Sequence, residues 1–134
     1  MSDRISGGCL CGNVRFETTS EPAMQVLCHC VDCQTVSGSA FYTAYIVQLE
    51  SVKLTKGEPS GFTVKSDRGR RNHRRFCRDC GARLWAELER GVASVNGMVL
   101  DDKSHFKPTH NHRLETAPDW CLMNEALHTL PVTP

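Results

Sequence analysis

The sequence has almost no net charge: 16 lysines and arginines stand against 15 aspartates and glutamates, a formal +1. That balance excludes the broad basic field on which general nucleic-acid binders rely. No apolar run has the length of a membrane span. The opening "MSDRISGG" lacks the apolar h-region of a secretory leader, so the expected address is cytoplasmic. There is no internal repeat, no low-complexity segment and no break in composition, so residues 1–134 are read as one domain. A chain of this length buries about two-thirds of its unfolded surface and needs no staples merely to fold.

Against these absences stands a surplus of cysteine, with eight at positions 9, 11, 28, 30, 33, 77, 80 and 121. In a reducing compartment stable disulfides are rare, and clustered thiols more often bind metal. Seven of the eight fall into short-spaced groups: Cys9 and Cys11, then Cys28, Cys30 and Cys33, then Cys77 and Cys80. Three such groups are far more specific for zinc than a lone C-x-x-C.

The pattern between them is mostly strand. "NVRFE" alternates, with Val14 and Phe16 on one face. "FYTAYIVQL" is apolar on both faces, which predicts a buried central strand. "VKLTKG" alternates Val52 and Leu54 against Lys53 and Thr55. "GFTVKS", "ARLWAEL" and "GVASVNG" read as further strands between glycines. "CVDCQTVSG" has room for one helical turn stopped by Gly38, and "APDWCLMNEALHTLP" reads as a short helix starting near Asp119 and ending before Pro131. The expectation is a mainly β protein of small antiparallel sheets with little helix, whose loops carry the zinc-binding cysteines.

A structural zinc site is closed by four ligands, whereas a catalytic one keeps a position open. Cys9, Cys11, Cys77 and Cys80 make one four-ligand site from two distant half-sites. Gly12 and Gly81 follow these half-sites directly, as turns that aim backbone N–H groups at thiolates require. Cys28, Cys30 and Cys33 supply three ligands from one loop, leaving a fourth position for solvent or substrate. Such a site lowers the pKa of an incoming thiol and presents it as a nucleophile. It is also the site expected to be only partly occupied by metal.

Other residues admit two readings each. His29 lies between two ligands, but adjacent residues of an extended segment point to opposite sides, so it is either a further ligand or a residue of the surface or of the site's surroundings. Asp32 reads as a turn cap. Cys121 is a buried apolar thiol or the group that closes the open site. The run "RGRRNHRRFCRDCG" is a solvated hairpin arm or a wall of arginines that grips carboxylates; on the second reading Arg70 and Arg71 hold the carboxylates of a thiol cofactor, with Arg68, Arg74 and Arg75 beside them.

The segments "GGCLCGNVRFE", "CHCVDCQTVSG", "RRFCRDCGARLW", "NGMVLDD", "PTHNHR" and "DW" occur in an order that resembles the glutathione-dependent formaldehyde-activating enzyme family, which includes centromere protein V-like members. The resemblance covers roughly residues 5–131. It implies a β-tent fold of small antiparallel sheets around a zinc clip. It implies Cys9, Cys11, Cys77 and Cys80 as structural zinc ligands and Cys28, Cys30 and Cys33 as catalytic ones, two zinc ions per chain. The implied activity is that of a carbon–sulfur lyase joining glutathione to formaldehyde as S-hydroxymethylglutathione. The implied partners are a small thiol and an aldehyde-like electrophile, with no nucleic acid and no membrane. His29 and His112 lie within the matching segments as candidate proton carriers. Two other classes stay open: a non-catalytic binding module in which both zinc ions are structural, and a thiol-redox or metal-storage protein.

Overall fold

The computed structural model describes residues 3–66, 68–122 and 126–130. Its strands are β1 (Arg4–Gly8), β2 (Arg15–Thr19), β3 (Met24–Cys28), β4 (Tyr42–Gln48), β5 (Lys53–Lys56), β6 (Ser60–Lys65), β7 (Arg71–Phe76), β8 (Arg83–Glu87), β9 (Val92–Asn96), β10 (His110–His112) and β11 (His128–Thr129). One α-helix is present among the described residues, α1 (Val31–Ser37), besides short 3-10 turns. The protein is therefore mainly β with little helix, as expected.

Two sheets share the strands. The smaller runs β1-β2-β5 and the larger β11-β10-β3-β4-β9-β8-β7-β6. Pairing is antiparallel except where β10 lies parallel to β3 and to β11. That parallel pairing needs a long connection, and the segment between β9 and β10 provides it.

Strand β4 decides the layering. Side chains alternate across a strand, so Tyr45 and Val47 point one way and Tyr42, Ala44 and Ile46 the other. Tyr45 and Val47 join Phe16, Leu84, Trp85, Ala93, Val95 and Leu100 in the main core. The small sheet covers this face: Phe16 of β2 meets Trp85 of β8 edge to face at 5.5 Å. The Tyr45 hydroxyl donates to the Thr19 carbonyl at 2.8 Å, tying the two sheets together. On the opposite face Tyr42 and Ala44 gather with Val26 and Cys33 in a second, smaller cluster.

Four local expectations change. The Val52/Leu54 alternation does not bury a face: Val52, just ahead of β5, is partly buried against the main core, whereas β5 is an edge strand and Leu54 and its other three residues are exposed. The basic run is not a solvated arm throughout: Arg71–Phe76 form β7, between β6 and β8. The described residues of 117–130 form turns and the two-residue β11 rather than a helix, while residues 123–125 and Pro131 of that expected helix lie outside the described residues. The helical turn at "CVDCQTVSG" is longer than expected, seven residues, and stops where Gly38 adopts φ 67°.

Truncating Phe16 to Ala removes the fully buried ring that joins the two sheets and should cost about 3–5 kcal/mol. Leu54→Ala, on the exposed edge, should stay within about 0.5 kcal/mol. Urea unfolding of both variants beside the parent checks the difference; equal midpoints would contradict this layering.

Candidate metal centres and the adjoining pocket

Two knuckles converge on the first cluster. Cys9 and Cys11 sit in the turn between β1 and β2, Cys77 and Cys80 in the turn between β7 and β8. Gly12 and Gly81 both adopt positive φ, 81° and 79°, a conformation that only glycine takes without strain. In the second knuckle Gly81 N–H donates to the Cys77 carbonyl at 2.7 Å and Cys77 N–H to the Ala82 carbonyl at 3.0 Å. In the first, Val14 N–H donates to Cys9 Sγ at 3.2 Å. A bond from Asn13 Nδ2 to Asp79 Oδ2, 3.0 Å, spans the two turns.

The four sulfurs lie within 4.8 Å of one another. Cys9 and Cys11 Sγ are 3.6 Å apart, and Cys11 and Cys77 Sγ 3.8 Å. Tetrahedral thiolates at the usual Zn–S length of about 2.3 Å stand about 3.8 Å apart. Left to themselves the thiols do not ionise together. The N–H groups of Ala82 and Cys11 draw Cys80 down to about 6. At Cys11 the Asn13 N–H pulls downward, but desolvation and the sulfurs of Cys9, Cys77 and Cys80 outweigh it and push the thiol up to about 12. Four close sulfurs with aimed N–H donors form a donor set that a soft dication satisfies and protons do not.

The second cluster is local. Cys28 ends β3, Cys30 caps α1, and Cys33 lies buried in its first turn. Cys30 Sγ accepts the Cys33 N–H at 3.3 Å, so a thiol does the capping here and not Asp32, which sits one turn position further on. These three sulfurs also fall within 4.8 Å of one another. Hydrogen bonds from Cys28 and Cys33 draw Cys30 down to about 2, with the Arg74 charge adding to the effect. The resulting thiolate pushes Cys28 up to about 12. Cys33 is shifted upward by Cys28 and Cys30 together.

All three residues line one cavity of about 310 Å³ on the second face of the large sheet. Met24, Val26, Ala44, Ile46 and Leu130 give it an apolar wall, while Asp32, Ser66, Asn72, Arg74, Ser94 and His112 supply polar groups. His112 arrives through the parallel pairing of β10 with β3, where it stands in register with Cys28. Its Nδ1 lies 3.6 Å from Cys28 Sγ. Burial, then the nearby Arg113 charge, lowers its pKa and favours neutral imidazole.

Of the two histidines, then, only His112 faces the pocket. His29 is buried on the other side, its ring edge to face with Phe41 and its Nδ1 3.2 Å from the His112 carbonyl. Cys121 is half-buried, joins neither sulfur cluster, and its Sγ is 3.9 Å from the Leu122 carbonyl. Arg71 and Arg74 are three apart on a strand and face opposite sides. Arg70 and Arg71 line a separate cavity with Glu89, whose Oε1 accepts the Arg71 N–H at 3.1 Å. Arg75 pairs with Glu87 at 2.7 Å. Arg74 is the arginine that lines the cysteine pocket; the strand alternation of β7 was the signal for it, masked by the density of arginine around it.

The sequence profile of the glutathione-dependent formaldehyde-activating enzyme family matches residues 4–116. This chain belongs to that family. A Penicillium rubens protein, provisionally named a glutathione-dependent formaldehyde-activating enzyme, is 30% identical over 117 residues. That match covers 80% of this chain but only 60% of the relative's length. A crystal structure of a Rhodobacter sphaeroides protein, a structural genomics target, superposes with a TM-score of 0.58 at 22% identity, over 73% of this chain and 89% of that one. At that identity the likeness extends to the fold.

The two clusters should differ in what they support. Cys77→Ser removes one of four sulfurs that join the two sheets; a metal held by them would contribute folding energy directly, so Tm should fall by more than about 10 °C. Cys30→Ala touches a single loop and should shift Tm far less. Melting curves with metal analysis check this, and equal losses would contradict the division.

Proposed function

We propose that the chain is a zinc-dependent enzyme of carbon–sulfur lyase type that adds a thiol such as glutathione to formaldehyde or a similar small electrophile. One observation carries the reading: three clustered cysteines, Cys28, Cys30 and Cys33, open onto a cavity large enough for a ligand. Family membership supports it. Cys9, Cys11, Cys77 and Cys80 would hold one zinc as a closed structural site, and Cys28, Cys30 and Cys33 a second, with a position left for substrate. The domain so defined takes in residues 1–134, and the chemistry belongs in a reducing, cytoplasmic setting where these thiols stay free.

When bound in the three-cysteine site, zinc supplies a Lewis-acid centre that favours the thiolate form of an incoming thiol. The chain's own residues do the rest. The apolar wall excludes water from the reacting carbon and strengthens polar interactions inside the pocket. His112, kept neutral by burial, is placed to accept the thiol proton. As sulfur bonds to the carbonyl carbon, the C=O π pair moves to oxygen and takes that proton from His112. The adduct is the hydroxymethyl thioether, and the reverse sequence breaks the same C–S bond.

Exchange spectroscopy on glutathione and formaldehyde, with and without metal-loaded protein, tests the activity. The parent should accelerate adduct formation, Cys30→Ala should abolish the acceleration, and His112→Gln should slow it by about 10²–10⁴-fold while leaving thiol affinity intact. Parent protein that accelerates nothing would overturn the reading in favour of a zinc-stabilised binding module. Mild chelation should remove about one equivalent of zinc first, from the three-ligand site. Native mass spectrometry follows this, and simultaneous loss of both ions would count against an open second site.

A further inference from the structure

The pocket contains a charged group that the addition of a thiol to formaldehyde does not use. Arg74 is 5% exposed, and its Nε is buried without a hydrogen-bond partner among the described residues. No ion pair joins it to a carboxylate among those residues, in contrast to Arg75, which pairs with Glu87 at 2.7 Å. A buried guanidinium N–H with no acceptor is costly, and a ligand in the cavity that Arg74 lines would supply one.

The register of the large sheet shows how the space for that ligand arises. Arg74 stands opposite Ala86, Ala86 opposite Ser94, Ser94 opposite Ile46, and Ile46 opposite Met24. The middle of this row is built from the small side chains of Ala86 and Ser94, with Ala44 nearby, and so forms a floor. Arg74 marks one side of the cavity, the cysteines and the apolar wall the other. Formaldehyde has two heavy atoms, whereas a cavity of about 310 Å³ holds roughly ten waters at about 30 Å³ each. The thiol itself must fill most of it.

We infer that Arg74 is the anion-binding residue of this pocket and that the substrate thiol carries a carboxylate which Arg74 grips, its carbon body lying along Met24, Val26 and Ile46. The inference rests on the thiol-binding reading above and adds the residue that holds the thiol's negative group. A guanidinium fork matches a carboxylate bidentately, and burial shields the contact from water. Arg71 lies on the opposite face of β7 and Arg70 precedes the strand; both line the separate cavity beside Glu89 and neither lines this one.

The test is isothermal titration of the metal-loaded protein with three probes: 6-mercaptohexanoate, the neutral 6-mercaptohexanol of matched length, and hexanoate, which has a carboxylate but no sulfur. Mercaptohexanoate should bind at least about tenfold more tightly than mercaptohexanol, in line with a shielded charge-assisted contact. Arg74→Gln should erase that preference without changing metal content or mercaptohexanol affinity, and Arg74→Lys should retain part of it. Hexanoate should bind the parent and not Arg74→Gln. The comparison of probes on the parent needs no variant, so a poorly folding Arg74→Gln does not blunt the test. Equal binding of the two thiols with no binding of hexanoate would overturn the role of Arg74 and leave thiol binding standing. Arg74-dependent binding of hexanoate with neither thiol bound would keep the anion site and sink the thiol reading.

Discussion

The structure depends on one strand having two occupied faces. Strand β4 lies at the centre of the larger sheet, between β3 and β9. Its odd-numbered residues Tyr45 and Val47 close the main core beneath the small sheet. Its even-numbered residues Tyr42, Ala44 and Ile46 look the other way, where no second sheet of the described residues covers them. An apolar sheet face of this size left in water would be unfavourable at about 25 cal/mol per Å². Here α1, the three-cysteine loop and the chain around Leu130 fold over it in part, and what they leave open is the pocket. The site is thus the unfilled remainder of a core.

That geometry explains which parts of the molecule were legible in the sequence. The short-spaced cysteine groups were legible because a turn of two or three residues fixes where its thiols point, and the sulfurs do gather into the four and the three that a ligand count suggests. The positive φ of Gly12 and Gly81 was readable for the same local reason. The strand at "FYTAYIVQL" was readable as central because both faces are apolar, but the sequence does not say that one of those faces belongs to a cavity. Arg74 was hidden among five other arginines, and only the face of β7 that it occupies sets it apart. The helix expected over 117–131 fails among its described residues because neighbouring contacts overrule local propensity: Thr109 accepts the His128 N–H and Asn111 the Leu130 N–H, drawing that segment onto the edge of β10 as a strand.

His112 illustrates a different limit. It lies 84 residues from Cys28, and nothing in its own segment marks it out from His110, His105 or His29. Two neighbouring features bring it to the cluster: the parallel register of β10 on β3, and the bond from the His29 N–H to the His112 carbonyl at 2.9 Å. The same backbone contact explains why His29 faces inward. Gln34 and Thr116 both donate to the His29 carbonyl, at 2.8 and 2.7 Å, and lock the peptide so that the ring can only enter the interior beside Phe41. The matching segments held both His29 and His112 as candidates; the non-local pairing is what brings His112, and not His29, to the pocket.

The charges of the pocket follow from the same arrangement. Three sulfurs so close together cannot all ionise unaided, as the opposed shifts of Cys30 and Cys28 show. A dication relieves that repulsion but leaves three thiolates in excess by one negative charge, in surroundings of low dielectric. Arg74 is the buried cation on this face, and it already lowers the pKa of Cys30 at a distance. Its charge therefore makes a partial balance possible without occupying its hydrogen-bond donors. The long-range field steadies the cluster, while the N–H groups of the fork, which need contact to be satisfied, remain for a ligand. An apolar residue at position 74 would leave the thiolate cluster as the dominant charge and repel any anionic thiol that approached. With arginine there, the same pocket accepts a negative group at one end and holds sulfur at the other, a polarity set by the alternation of a single strand.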